Sequence, residues 1–287
     1  MKLATFTEGG WTRAGVVSGN HVIDVVAADR GIPLELLEVI REGPPMLDRI
    51  SMALVDAPRH GLASVRLEAP LRRPPKILAI GLNYADHIAE TGAQKPSIPI
   101  VFNKQSTCVV GPGDDIIKPR VSDQIDYEAE LCIVIGQSCR GIGKAEAPGV
   151  VFGYCVGNDV SVRDWQRRSP TMTMGKSFDT HGPMGPWITT ADEVADPHTL
   201  DIRCWVDDEL RQSSNTRHLI FNCYDIIEHL TTAFTLEPGD VIFTGTPSGV
   251  AVAMNPQRFL RDGSRVRVEI AGLGVLENIV RAERLPG

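Results

Sequence analysis

Residues 126–136 read DYEAELCIVIG. The second half is apolar and β-branched and predicts a strand. A period of two then carries Asp126, Glu128 and Glu130 to one face and Tyr127, Ala129, Leu131 and Ile133 to the other. Carboxylates two apart on a strand stand about 6–7 Å from each other and repel. Alternating acids commonly form a solvated face, so E-x-E alone is a weak signal. A hard divalent cation is the other answer. Mg²⁺ or Mn²⁺ takes oxygen ligands at about 2.1 Å and removes the repulsion. A third ligand is then expected from a neighbouring strand. Asp159 is the candidate: it follows the apolar run GYCVGN, where a lone buried acid needs a partner.

Around this strand the pattern is mostly β. KILAIGLNY, IVFNK, VFGYCVGND, DIRCWVDD, DVIFTG and RVRVEIAG are short runs broken by Gly, Pro or Asp. Helices are expected over 84–91 and 222–234. Residues 1–70 read as a small N-terminal β-rich unit. KLATFT, AGVVSG and HVIDVV are its strand candidates, and LELLEVIRE is a short helix with apolar spacing of three and four. The Pro-rich PLRRPPK suits a linker, so residues 71–287 form the second domain. The fold class is α+β, β-rich, and neither strand–helix alternation nor a G-x-G-x-x-G is present. A nicotinamide dehydrogenase is therefore disfavoured.

Bulk properties narrow the function. The 287 residues are 43% hydrophobic and 23% charged, enough for a sizeable core. Net charge is −7 with scattered Lys and Arg, which argues against nucleic acid. No apolar run approaches the roughly 20 residues of a membrane span, and the first residues lack a signal-peptide core. A cytoplasmic protein is expected. The six cysteines form no C-x-x-C pair and read as buried thiols in a reducing compartment.

Several other stretches carry chemistry. In GLNYADHIAETG, His87 and Glu90 are three apart and share a helix face. They are either a surface pair or a dyad able to activate water. Lys176, in GKSFDTHGPMGP, is either a solvated loop lysine or an electrostatic clamp for an oxyanion. EPGDVIFTGTPSGV ends a strand in a tight hairpin or in a loop whose N–H groups, with Thr246, cradle a carboxylate. Arg163 and Gln166 suit an anionic, oxygen-rich ligand.

Taken together, IGLNYADHIAE, FNKQST, DYEAEL, NDVSVRDWQ, GKSFDT and TGTPSGV, in that order, resemble the fumarylacetoacetate hydrolase family. The similarity runs from about Lys76 to Ala282. DWQ followed by GKSFDTHGPMGP and QSSNT is most like the subgroup of fumarylacetoacetate hydrolase domain-containing proteins. The resemblance implies a mixed β-roll catalytic domain and a homodimer. It implies Glu128, Glu130 and Asp159 as ligands of Mg²⁺ or Mn²⁺, with Asp126 outside the assured set. It implies His87 and Glu90 as a dyad on a lid, Lys176 as the active-site lysine, and Arg163, Gln166 and Thr246 as substrate contacts. The activity expected is hydrolytic C–C cleavage of a 2,4-diketo acid to pyruvate and a carboxylic acid. Oxaloacetate decarboxylation or keto–enol isomerisation of a 2-oxo acid is the alternative from the same parts. Intact His87, Glu90 and Lys176 argue against a purely structural protein.

Overall fold

The computed structural model describes residues 1–284. Its largest sheet has twelve strands. Ala129–Ile135 lies near its middle, antiparallel to Val151–Asn158 on one side and to Val241–Phe243 on the other. Val241–Phe243 continues, in parallel, to Ile77–Gly81, and Ile100–Lys104 closes that edge. A five-stranded sheet that includes Asp201–Val206 and Arg265–Ile270 packs against it. The result is a β-rich roll with mixed strand directions, as expected.

Period two explains why the central strand is buried throughout. Leu131 and Ile133 enter the core shared with Ile202, Val266 and Val268. Cys132 and Val134 enter a second core with Leu36, Ile40 and Phe243. A strand buried on both faces reads as an apolar run, and LCIVI is such a run. All six cysteines are buried and free.

The N-terminal strands extend the same sheet. Lys2–Glu8 runs antiparallel to Gly182–Thr190, with Leu3 opposite Ile188, and then pairs with Trp11–Ser18. The expected strand HVIDVV stops at Ile23. Asp24 there turns its carboxylate to the Ala27 N–H and caps a short helix, Val25–Ala28. LELLEVIRE forms the helix Leu36–Glu42. A further helix, Pro44–Ala53, was not anticipated, although Gly43 followed by Pro at the first helical turn is a start signal. The two helices expected in the second unit form as Ala85–Thr91 and Cys223–Ala233. The second carries a capping box from Asn222 and Asp225.

The line of three acids is interrupted. Ile125–Asp126 pairs with Ser161–Val162 in a separate two-stranded ladder, and the central strand starts only at Ala129. Asp126 is fully buried away from the neighbouring glutamates' task. It accepts from Arg163 Nε at 2.8 Å and from the N–H groups of Tyr127, Ala251 and Val252.

Candidate active site

Backbone pairing brings the acids together. Asn158 ends its strand, and its side-chain oxygen accepts the Glu128 N–H at 3.0 Å. The Asp159 N–H donates to the Glu128 carbonyl at 2.9 Å. Glu130 is held from the other side: the Gly245 N–H donates to its Oε2 at 2.6 Å. Gly245 sits at φ +105, and a Cβ there would lie 2.8 Å from Asn83 Cβ, so the glycine permits this approach. Carboxylate oxygens of Glu128, Glu130 and Asp159 thereby lie within 4.8 Å of one another, all buried.

Cations surround the trio. Lys176 Nζ donates to Glu128 at 2.5 Å and to Asp159 at 2.7 Å. It sits at the end of the turn Thr173–Lys176, which packs so closely on Gln166 that a Cβ on Gly175 would meet the Gln166 nitrogen at 2.2 Å. Arg163 spans Asp126 and Glu128. Its Nη2 stands 2.7 Å from Glu128 as an ion pair without hydrogen-bond alignment, and its Nη1 donates to Gln166 at 2.9 Å. Lys104, absent from the sequence-based selection, is as buried as these. Its Nζ donates to Asp159 Oδ1 at 2.6 Å and also to the Lys176 carbonyl. Its signal lay in the strand Ile100–Lys104, where period two puts Lys104 beside buried Phe102 on the inward face.

Four buried carboxylates thus face three buried cations. Burial pushes Glu130 up, reinforced by Asp159 and Glu128, so its carboxyl ionises well above the usual range. Burial also opposes the charge of Glu128, but Lys176 and Arg163 outweigh it and hold Glu128 below the usual range. For Lys176, burial disfavours the ammonium, yet Asp159 and Glu128 raise its pKa. Three carboxylates in reach of one point, one of them unable to ionise readily, fit a hard divalent cation bound through oxygen.

A cavity of about 450 Å³ opens beside this cluster. His87, Glu128, Glu130, Arg163, Gln166, Lys176 and Thr246 line it, together with apolar Ile80, Ile100, Phe102 and Met172. Glu90 and Asp159 do not line it and reach it through His87 and Lys176. The helix that carries His87 is anchored at its start by Asn83, whose side chain bonds both backbone groups of Phe221 and the Thr244 carbonyl. Asp86 accepts the Ser214 hydroxyl at 2.6 Å. His87 Nδ1 lies 3.3 Å from Glu90 Oε2, and the other Glu90 oxygen accepts the Gly249 N–H at 2.9 Å. The TGTPSG loop therefore does cradle carboxylates, but they are the protein's own Glu130 and Glu90. The Thr246 hydroxyl accepts from Gln212 Nε2 at 2.8 Å.

The geometry can be set beside known proteins. The fumarylacetoacetate (FAA) hydrolase C-terminal family model matches residues 76–281. The chain is 42% identical to oxaloacetate tautomerase FAHD2B, mitochondrial, of Bos taurus, over 93% of this chain and 86% of that one. It is 42% identical to oxaloacetate tautomerase fahd2, mitochondrial, of Xenopus laevis, over 91% and 83%. Among solved structures it resembles maleylpyruvate hydrolase from Sphingobium sp. SYK-6 in complex with manganese(II) and pyruvate. That match has 35% identity and a TM-score of 0.84, covering 99% of this chain and 100% of the other. The expectation of a cytoplasmic protein is corrected by the two tautomerases, both named as mitochondrial. Lack of a membrane-spanning run says how a chain meets a bilayer, not which compartment it occupies. With the motifs, the buried acidic trio and these likenesses in agreement, the chain belongs to the fumarylacetoacetate hydrolase family.

Proposed function

We propose that this protein interconverts the keto and enol forms of a 2-oxo dicarboxylate of the oxaloacetate type, with a divalent cation. The observation that carries this reading is the buried trio Glu128, Glu130 and Asp159 beside Lys176 and His87 in one cavity. The 42% identity to a tautomerase supports tautomerisation over the hydrolysis expected from the sequence. Glu128, Glu130 and Asp159 would hold Mg²⁺ or Mn²⁺. When bound, such a cation supplies Lewis-acid stabilisation of an enolate.

The chain's own residues supply the rest. Glu90 orients the His87 ring through Nδ1, which sets Nε2 for proton transfer. In the keto-to-enol direction the C3 proton passes to Nε2. The C–H electron pair becomes the C2–C3 double bond, and the carbonyl π pair moves to the C2 oxygen. The ring then returns a proton to that oxygen, so atoms and charge balance. Lys176 adds positive charge where the oxygen becomes negative. Such acid–base help is worth roughly 10²–10⁴-fold. Apolar Ile80, Ile100 and Phe102 limit water at the reacting carbon.

Hydrolysis of an acylpyruvate is the second reading, favoured by the likeness to a maleylpyruvate hydrolase. It uses the same dyad to draw a proton from water. The test follows the ultraviolet absorbance of enol-oxaloacetate with Mn²⁺ or Mg²⁺, and pyruvate release from acylpyruvates in parallel. Tautomerisation predicts accelerated decay of the enol signal, abolished by a chelator. Decay at the buffer rate, with pyruvate released from an acylpyruvate, replaces it by hydrolysis. Pyruvate released from oxaloacetate itself assigns decarboxylation.

A further inference from the structure

We infer that Arg167 reads a second carboxylate on the substrate and so selects 2-oxo dicarboxylates over 2-oxo monocarboxylates. This rests on the metal-dependent 2-oxo acid site proposed above and adds the residue that sets its specificity. The other cations at the cavity are already engaged. Lys176, held by Glu128 and Asp159, lies at the 2-oxo end of the site and not at its rim, and Arg163 is engaged by Asp126, Glu128 and Gln166. The Gln166 amide is engaged as well, its Nε2 donating to Met172 Sδ at 3.5 Å.

Arg167 differs from all of these. It lines the same cavity, is exposed, and has no carboxylate partner among the described residues. Its base is fixed, because its N–H donates to the Arg163 carbonyl at 3.2 Å at the end of the turn Arg163–Gln166. The next residue shows that pairing was available nearby. Arg168 stacks 3.8 Å over the Trp165 ring and reaches Asp164 at 4.0 Å, whereas Arg167 does neither. A guanidinium at a cavity rim, held at its base and left unpaired, offers a planar fork suited to a carboxylate. Its charge also draws anions towards a site whose inner wall is acidic. A ligand gripped at its 2-oxo acid end by the cluster would present its other end to this rim.

The test compares two ligands of equal chain length that differ at one end: 2-oxoglutarate, with a terminal carboxylate, and 2-oxopentanoate, with a methyl. Binding to the Mn²⁺-loaded protein is measured by calorimetry for the natural chain, R167M and R167K. A charge-assisted hydrogen bond predicts a preference for 2-oxoglutarate that falls about 10- to 100-fold in R167M. R167K is expected to retain part of it, since charge remains but the fork is lost. No preference in the natural chain, an unchanged preference in R167M, or binding of neither ligand overturns the inference. Should the preference respond to R167M while the enol of oxaloacetate decays at the buffer rate, the inference stands and tautomerisation is the part that fails.

Discussion

Asp24 and Glu130 are both buried carboxylates, yet the chain treats them in opposite ways. Asp24 in the N-terminal strands accepts a hydrogen bond from Arg13 Nε at 2.7 Å, forms an ion pair with its Nη2 at 2.5 Å, and caps the helix at Ala27. Arg13 is in turn stacked 4.1 Å from the Trp11 ring and 4.5 Å from Phe6. Burial raises the Asp24 pKa, but the Arg13 and Ala27 bonds outweigh it, and the group ends below its usual value. Glu130 has one backbone N–H and two neighbouring carboxylates, so burial and repulsion act together to raise it. A satisfied cluster stabilises a fold by itself. An unsatisfied one marks a place kept for a cation that the chain does not encode.

Removing the cation tests this contrast most severely. Chelation is expected to lower kcat/KM on the cleaved or tautomerised substrate by 10³-fold or more, about 4 kcal/mol. Mn²⁺ or Mg²⁺ should restore it, and Asp24→Ala should not change that dependence. Asp24→Ala should instead lose about 3 kcal/mol of folding stability, because buried Arg13 loses its buried carboxylate and keeps only half-exposed Glu8 at 3.3 Å. Urea unfolding with and without Mn²⁺ should give the same loss; a loss that depends on Mn²⁺ breaks the comparison. Glu130→Gln should do the reverse. The metal-free variant is expected to be about 1 kcal/mol more stable near neutral pH, because the amide is buried without the cost of burying a carboxylate or taking up a proton. In exchange, the gain of about 2.7 kcal/mol that the natural chain draws from a cation at a hundred times its Kd should disappear.

The smallest effect is in pH, and its sign differs between the regions. Glu130 has a folded pKa above its unfolded 4.5, so the folded chain holds the extra proton in that window. Its contribution is therefore present below about pH 4.5 and lost as pH rises through the folded value. Asp24 has a folded pKa below its unfolded 3.8, so its contribution is present above that pH and lost on acidification. Difference curves of natural chain minus Glu130→Gln and minus Asp24→Asn, without metal, should slope in opposite directions. Parallel slopes would show that the two acids are not held differently.

Much of the site was legible because its chemistry is local. The E-x-E pattern, the acid that ends GYCVGND, and the H-x-x-E spacing each name residue types and offsets that a strand or a helix converts into a shared face. Lys104 and Arg167 were not singled out. A lysine ending IVFNK reads as an ordinary strand terminus until Asp159, 55 residues away, stands 2.6 Å from it. Arg167 and Arg168 are indistinguishable as a dipeptide, and only Trp165 and the cavity wall separate them. The sequence places Asp126 on the same face as Glu128 and Glu130 and leaves its partner open. The break in the strand after it, and the Arg163 guanidinium waiting there, give it a different partner.

The sequence by itself marked the strands and the faces shared by Glu128 with Glu130 and by His87 with Glu90, since period two and period 3.6 act over a few residues and need no distant partner; the roll and the roles of those residues were implied by the likeness of the motifs to the family. Tertiary structure alone decided which carboxylate is neutralised by which cation, and which arginine is left over. Charges in a buried site interact through space, over distances that chain separation does not record, and the balance among seven of them exists only once the strands have closed around the cavity.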